Sequence, residues 1–234
     1  AILIGLIFII CGFLFAGNET SFRKGEVAGK QTITPQSVEQ IDKMTKEYIF
    51  SGDDFRQENV TLVFYSIHLR VAVYEDGEKI YEVKPVSSVF GKTPGSLWNF
   101  IEIRPDCDQV VVRTEAVYQR VSSETLSFYI GESVNEVLSL IRGSALAAVV
   151  CVLELAIGIF LILYYVIANR EINIDNYVLY FGLFALFMGA WSLNETVMMA
   201  LLIPNVVASS NLGYILIMLM PAPFALFVHG FLMP

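Results

Sequence analysis

Four long apolar stretches, at 1–16, 144–168, 177–203 and 212–233, bracket one polar block that lies between the first and the second. A bilayer's hydrocarbon core is about 30 Å thick and takes about 20 predominantly apolar helical residues to cross. Three of the runs meet that length, and the first, AILIGLIFIICGFLFAG, falls short where the sequence begins. The first run is either an anchor helix or the apolar region of a signal peptide, and the lack of a visible charged n-region favours the anchor. The expectation is a piece of a longer membrane protein: an extramembrane domain slung between one helix and the first helices of a bundle.

Charge divides the chain the same way. Of 23 acidic and 15 basic residues, 19 and 14 fall between Gly17 and Arg142, so that block carries a net charge of 14 − 19 = −5. It has no basic run or stripe, which excludes the electrostatic footprint of a nucleic-acid binder. Cys11 and Cys151 lie in apolar runs and Cys107 alone in the polar block, so the block has no internal disulfide.

From Asn59 onward, Val60, Leu62 and Phe64, then Leu69, Val71 and Val73, recur at period two, the mark of half-buried strands. Asp76-Gly77 follows, a strong signal for a type I′ hairpin turn, with Glu78 to Val83 as the returning strand. Trp98 to Ile103, Val110 to Thr114, Leu126 to Ile130 and Tyr48 to Phe50 supply further short strands, enough for a sandwich or jelly roll over 47–131. The lead-in from 17 to 46 is expected to drape around that domain. Pro94-Gly95 suits a type II turn. Gly91-Lys92-Thr93 resembles the end of a phosphate-binding loop, but position 86 is Val86 rather than Gly, and Pro94-Gly95 breaks the required helix, which rules out nucleotide binding. Gly131 ends the last strand. Residues 132–143 form a short amphipathic helix with Val134, Val137, Leu138 and Ile141 on one face, either a mechanical coupler into the membrane or a plug under the sandwich.

The stretches FYSIHLRVAVYEDGEKIYE, FGKTPGSLWNFIEI, FYIGE before a helix, and FGLFALFMGAWSLNE resemble bacterial seven-transmembrane receptors with diverse intracellular signalling modules, especially Firmicutes versions ending in a diguanylate cyclase domain. The resemblance covers 47–234 and leaves 21–46 unmatched. It implies an extracellular jelly roll similar to galactose-binding and carbohydrate-binding modules, with four more membrane helices and a cytoplasmic catalytic or kinase-type module beyond residue 234. Arg23, Lys24, Lys30 and Arg142 flank the polar block while Arg170 alone marks the 169–176 loop, so a bare positive-inside count puts the block inside. Long domains escape that rule. The resemblance places the block outside, in a multi-pass protein of the bacterial cell membrane.

A sugar-binding jelly roll offers rings for stacking and polar groups for hydroxyls. Trp98, Asn99, Tyr65, His68, Arg70, Tyr74 and Lys92 supply such a set, with His68, Arg70 and Tyr74 read as one strand face; otherwise Trp98 is core and the rest a solvated surface. Glu154, Asn194, Glu195 and His229 are polar groups within the apolar runs, where ionisable groups mark function or helix–helix bonding. At ~1.5 Å per residue, Glu154 and Glu195 fall about 15 and about 12 Å below the outer face, so they are expected to meet, one of them protonated or sharing a proton through Asn194. His229 lies nearer the inner surface, and Pro221 and Pro223 should kink the fourth run. No catalytic set, cofactor motif or metal-ligand spacing is present, since the only histidines are His68 and His229. The expected partners are the lipid bilayer and an extracellular small molecule or carbohydrate, with homodimerisation left open. Competing readings are a transporter fragment and a membrane-anchored carbohydrate-binding module.

Overall fold

The computed structural model describes residues 31–57, 60–203 and 205–233. The first apolar run, the lead-in up to residue 30 and Asn59 lie outside the described residues. The polar block folds as a sandwich of two antiparallel sheets. One has the order β1 (Gln31–Ile33), β11 (Phe128–Gly131), β4 (Thr61–Ile67), β9 (Ser96–Glu102). The other runs β2 (Ser37–Gln40), β3 (Thr45–Ser51), β10 (Gln109–Ala116), β5 (Leu69–Glu75), β6 (Glu78–Val83). A separate hairpin pairs β7 (Val86–Ser88) with β8 (Gly91–Thr93).

Period-two patterning builds the core. Val110, Val112, Thr114 and Ala116 turn inward along β10, and their neighbours turn outward. At the centre the Phe128 ring stands 5.0 Å from Tyr48, 4.9 Å from Phe50 and 5.1 Å from Phe64, contacts worth about 0.5–1.5 kcal/mol each beyond their buried area. The Asp-Gly hairpin forms as expected, with φ of 47° at Asp76 and 84° at Gly77. Asp76 also ties the turn to β10, since its Oδ1 accepts from the amides of Asp108 and Gln109 at 2.9 Å each. Glu75, 1 % exposed, accepts from the Arg104 backbone amide at 3.0 Å and from its Nε at 2.6 Å, which satisfies the one buried carboxylate of the sandwich among the described residues.

Two sequence expectations for this block change. The lead-in contributes β1 and β2 as edge strands rather than draping loosely; both are short and largely exposed, so no apolar alternation announced them. The 132–143 helix and the 144–168 span form one uninterrupted helix, α1 (Ser133–Ala168).

Among the described residues three helical segments are long and apolar enough to cross a membrane: Val137–Ala168 within α1, Tyr177–Asn194 (α2) and Val206–Leu232. The third expected run does not stay helical to 203. Thr196 stops it: its Oγ1 donates to the Leu193 carbonyl at 2.7 Å and accepts from the Met199 amide at 3.3 Å, capping a new short helix, α3 (Val197–Leu202). The fourth run starts earlier than 212. Asn205 caps α4 (Val206–Leu219), accepting from Ala208 N at 3.0 Å, and α5 (Pro221–Leu232) continues it where Pro221 withholds an amide from the ladder.

Small residues draw α1 and α2 together. A Cβ placed on Gly158 would lie 2.6 Å from Leu186 N, and one on Gly189 2.8 Å from Leu155 N, so the backbones touch. Against α5, α2 sets a ladder of rings: Phe184 on Phe224 at 5.0 Å, Phe181 on Phe227 at 4.9 Å and Tyr177 on Phe231 at 6.2 Å.

Candidate functional site at the sandwich–helix junction

Strand β4 is buried on both faces. Leu62, Phe64 and Ser66 point between the sheets, while Val63 and Tyr65 point away from the partner sheet. An outward face of this kind is ordinarily solvated. Here it carries an apolar platform of Val63, Tyr65, Trp98, Phe100 and Tyr129, brought together by the register Tyr65↔Trp98, Val63↔Phe100 and Val63↔Tyr129. Leu140 of α1 and Val197 and Leu201 of α3 cover it. Leu140 is 1 % exposed, Val197 4 % and Trp98 7 %, so the sandwich is packed directly on α3 and on α1, whose continuation is long and apolar enough to cross a membrane.

Beside the platform the Pro94-Gly95 turn seats on the start of α4. Gly95 has φ +77°, and a Cβ there would lie 2.4 Å from Val206 Cγ1, so position 95 is closed to larger residues by conformation and by contact. Between these two contacts lies a narrow cleft of ≈ 40 Å³, lined by Tyr65, Ser96, Asn194, Glu195, Ser209 and Ser210 among others. At ~10–15 Å³ per water it has room for a few waters and no larger organic ligand. Asn194, 7 % exposed, closes its lower edge: Ser209 Oγ donates to Asn194 Oδ1 at 2.9 Å, and Asn194 Nδ2 donates to the Ser209 carbonyl at 3.1 Å.

The seven candidate ligand residues do not share one surface. Trp98 and Tyr65 do meet, with ring centroids 5.2 Å apart, but on the platform that α1 and α3 cover. Asn99 points the opposite way from Trp98, into the sandwich. Its Nδ2 donates to Ser66 Oγ at 3.0 Å and to the Phe64 carbonyl at 3.3 Å, and its Oδ1 accepts from Tyr81 OH at 3.1 Å, which crosslinks the two sheets. His68 is not on the strand face of Arg70 and Tyr74. It precedes β5 with φ +51°, its Nδ1 lies 2.5 Å from Thr93 Oγ1, and its ring packs edge-on to Tyr118 at 5.6 Å. Burial lowers the His68 pKa below the usual imidazole value, against an opposing pull from Glu124. Arg70 pairs with Glu82 at 2.9 Å and Glu115 at 3.3 Å on the outer face of β5, where Tyr74 carries the Arg113 guanidinium 5.7 Å from its ring centre. Lys92 is exposed on β8.

The intramembrane set also separates. Glu154 lies against Gly189 of α2, whereas Glu195 caps the end of that helix six residues on, a rise of about 9 Å. The two carboxylates therefore do not meet at one depth, because Glu195 marks a helix end rather than the interior of a long span. Asn194 serves the α2–α4 contact instead of a shared proton, and His229 is exposed near the far end of α5.

The covering residues Leu140, Val197 and Leu201, and Ser209 at the cleft, escaped the sequence reading. One signal for the platform was present: 60–65 reads VTLVFY, almost continuously apolar, as befits a strand buried on both faces. A second concavity, an open groove of ≈ 730 Å³, lies among Gln40, Lys43, Met44, Lys46, Gln119 and Ser122. Two lysines and no ring give it the chemistry for a polar or anionic solute rather than a stacked sugar. Comparison with protein-family models, curated proteins and solved structures found no match to this chain.

Proposed function

We propose that the chain is the input part of a bacterial membrane signalling receptor, in which an extracellular jelly roll senses a small molecule or carbohydrate and passes the change to the helices. The reading is supported above all by the buried platform: the face of sheet β1-β11-β4-β9 that an independent module would leave to solvent is packed on α1 and α3, and α1 runs on into the membrane without a linker. A shift of the sandwich therefore moves α1. The open groove between Lys43 and Ser122, with two lysines and no ring, is the surface for a polar or anionic ligand, a charged carbohydrate included, and output rests on a module beyond residue 234. The transporter alternative drew on Glu154 and Glu195 at one depth, and that pairing is absent among the described residues.

Amide hydrogen exchange on the full chain in lipid nanodiscs tests this. A panel of oligosaccharides and small anions is titrated, and any solute that protects the groove segments 40–46 and 119–123 should also change exchange in α3 and the first turns of α1. A bound ligand whose footprint stops within the sandwich overturns the receptor reading in favour of a purely adhesive, membrane-anchored module.

A further inference from the structure

The β7–β8 hairpin exposes apolar side chains where a soluble hairpin would carry polar ones. At its tip Val89 is 91 % exposed, Phe90 is 36 % exposed, and Val86 on the first strand is 54 % exposed. The tip is braced. Ser88 Oγ donates to the Gly91 carbonyl at 2.8 Å and accepts from the Phe90 amide at 3.3 Å, while Tyr118 OH holds the returning strand by donating to the Lys92 carbonyl at 3.1 Å. On the other side the Phe90 ring lies 5.4 Å from the ring of Tyr214 in α4.

That last contact sets the depth. Counting about 20 residues back from Ala168, for a core of about 30 Å at ~1.5 Å per residue, puts the outer hydrocarbon boundary near residue 148 of α1. The α1–α2 contact of Gly189 with Leu155 brings the end of α2, Asn194, to about the same level, and Asn194 is bonded to Ser209 of α4. Tyr214 is five residues beyond Ser209, about 7 Å further inward. Phe90, packed on Tyr214, therefore lies inside the boundary. Its surroundings on α4 continue the lipid-facing surface: Tyr214, Ile215 and Met218 are 38, 44 and 66 % exposed. From Val86 to Gly91 there is no ionisable group; exposed Lys92 and Lys84, the latter paired with Glu82 at 3.2 Å, flank that stretch, the pattern of an apolar tip with basic residues at the headgroup level.

We infer that the β7–β8 hairpin is a lipid-inserting finger, with Val89 and Phe90 seated among the upper acyl chains, just inside the headgroup boundary, beside α4. This gives the sandwich a membrane contact of its own, separate from its helices, and it holds whether or not the domain senses a ligand.

The test uses the full chain in phosphatidylcholine vesicles with Val89→Cys carrying an environment-sensitive nitrobenzoxadiazole label. Cys107 and Cys151 are buried, and the unsubstituted chain labelled in parallel gives the background. Asp106→Cys, on an exposed loop elsewhere in the sandwich, is the water-facing control. The label at 89 should emit to the blue of that at 106, be quenched several-fold more by lipids bearing a shallow acyl nitroxide, and resist aqueous iodide; Val86→Cys should behave alike. Emission and iodide quenching at 89 and 86 equal to those at 106 would overturn the proposal. So would a blue shift insensitive to the nitroxide lipids but accompanied by energy transfer between labelled chains, which would assign the tip to a second copy.

Discussion

Leu140→Ala is the sharpest test of whether sandwich and helices act as one body. Leu140 is 1 % exposed and fills the space between Val63, Trp98 and Val197. Truncation removes three carbons, roughly 2.4 kcal/mol of transfer free energy at about 0.8 kcal/mol per carbon. The unfilled space adds to that, so buried Leu→Ala changes run to about 2–5 kcal/mol in total. Because the side chain bridges two units and both backbones keep their own hydrogen bonds, the loss should fall on docking rather than on folding of either unit. A loss of about 3 kcal/mol lowers the docked-to-undocked ratio roughly a hundredfold. Trp98 reports it directly: in a Trp191→Phe background, acrylamide quenching of the remaining Trp98 should rise and its emission move to the red. Leu138→Ala, two residues away and 44 % exposed, is the control and should stay within about 0.5 kcal/mol of the parent. Equal quenching in the two variants would refute the reasoning, since it would mean that Leu140 does not hold the platform down.

Three further outcomes follow from particular contacts. Glu75→Gln leaves Arg104 and a buried amide poorly matched and should cost about 1–3 kcal/mol in denaturant unfolding of the full chain, with Glu82→Gln on the outer face costing less. Gly189→Ala drives a Cβ to 2.8 Å from Leu155 N and should destabilise the helix pair by about 1–3 kcal/mol in thermal aggregation, while Gly143→Ala, with nothing within 4 Å of its Cβ, should be neutral or stabilising. His68 has its folded pKa lowered from 6.5, so the unfolded chain takes up the proton first as the pH falls. Stability should be full above about pH 6.5 and drop as the pH falls below it; in His68→Asn, which tolerates the positive φ, unfolding midpoints between pH 5 and 7.5 should lose that component.

Strands β3, β4, β5, β9, β10 and β11 were legible because each carries β-formers with inward residues at period two, and β6 because it returns from Asp76-Gly77, a pair that suits two positive φ values. The edge strands β1 and β2 were not, since backbone pairing with a neighbour holds them and their side chains stay mostly exposed. Helix ends inside apolar runs were invisible to hydropathy. What ends α2 is one hydroxyl at Thr196, a local competitor for backbone bonds whose effect composition does not register. The candidate ligand set failed to converge for a related reason. Neighbours on a strand alternate faces, so Trp98 and Asn99 could not both line one surface, and His68 left its strand through a left-handed backbone.

The geometry of docking also bears on what kind of motion the junction can pass. The sandwich rests on the helices at the platform over α1 and α3, at the Gly95 turn on Val206, and at Phe90 on Tyr214. The last two lie eight residues apart along α4, about 12 Å, so together they fix the tilt of the sandwich along that helix, and the platform fixes its position on α1. With contact on both α1 and α4 the domain cannot swivel freely about one helix. Below these contacts the Asn194–Ser209 pair joins α4 to α2. The short α3 is held on three sides, by α1, by α2 through the Thr196 cap, and by the sandwich through Val197 and Leu201, so it is the piece that joins all three at the junction.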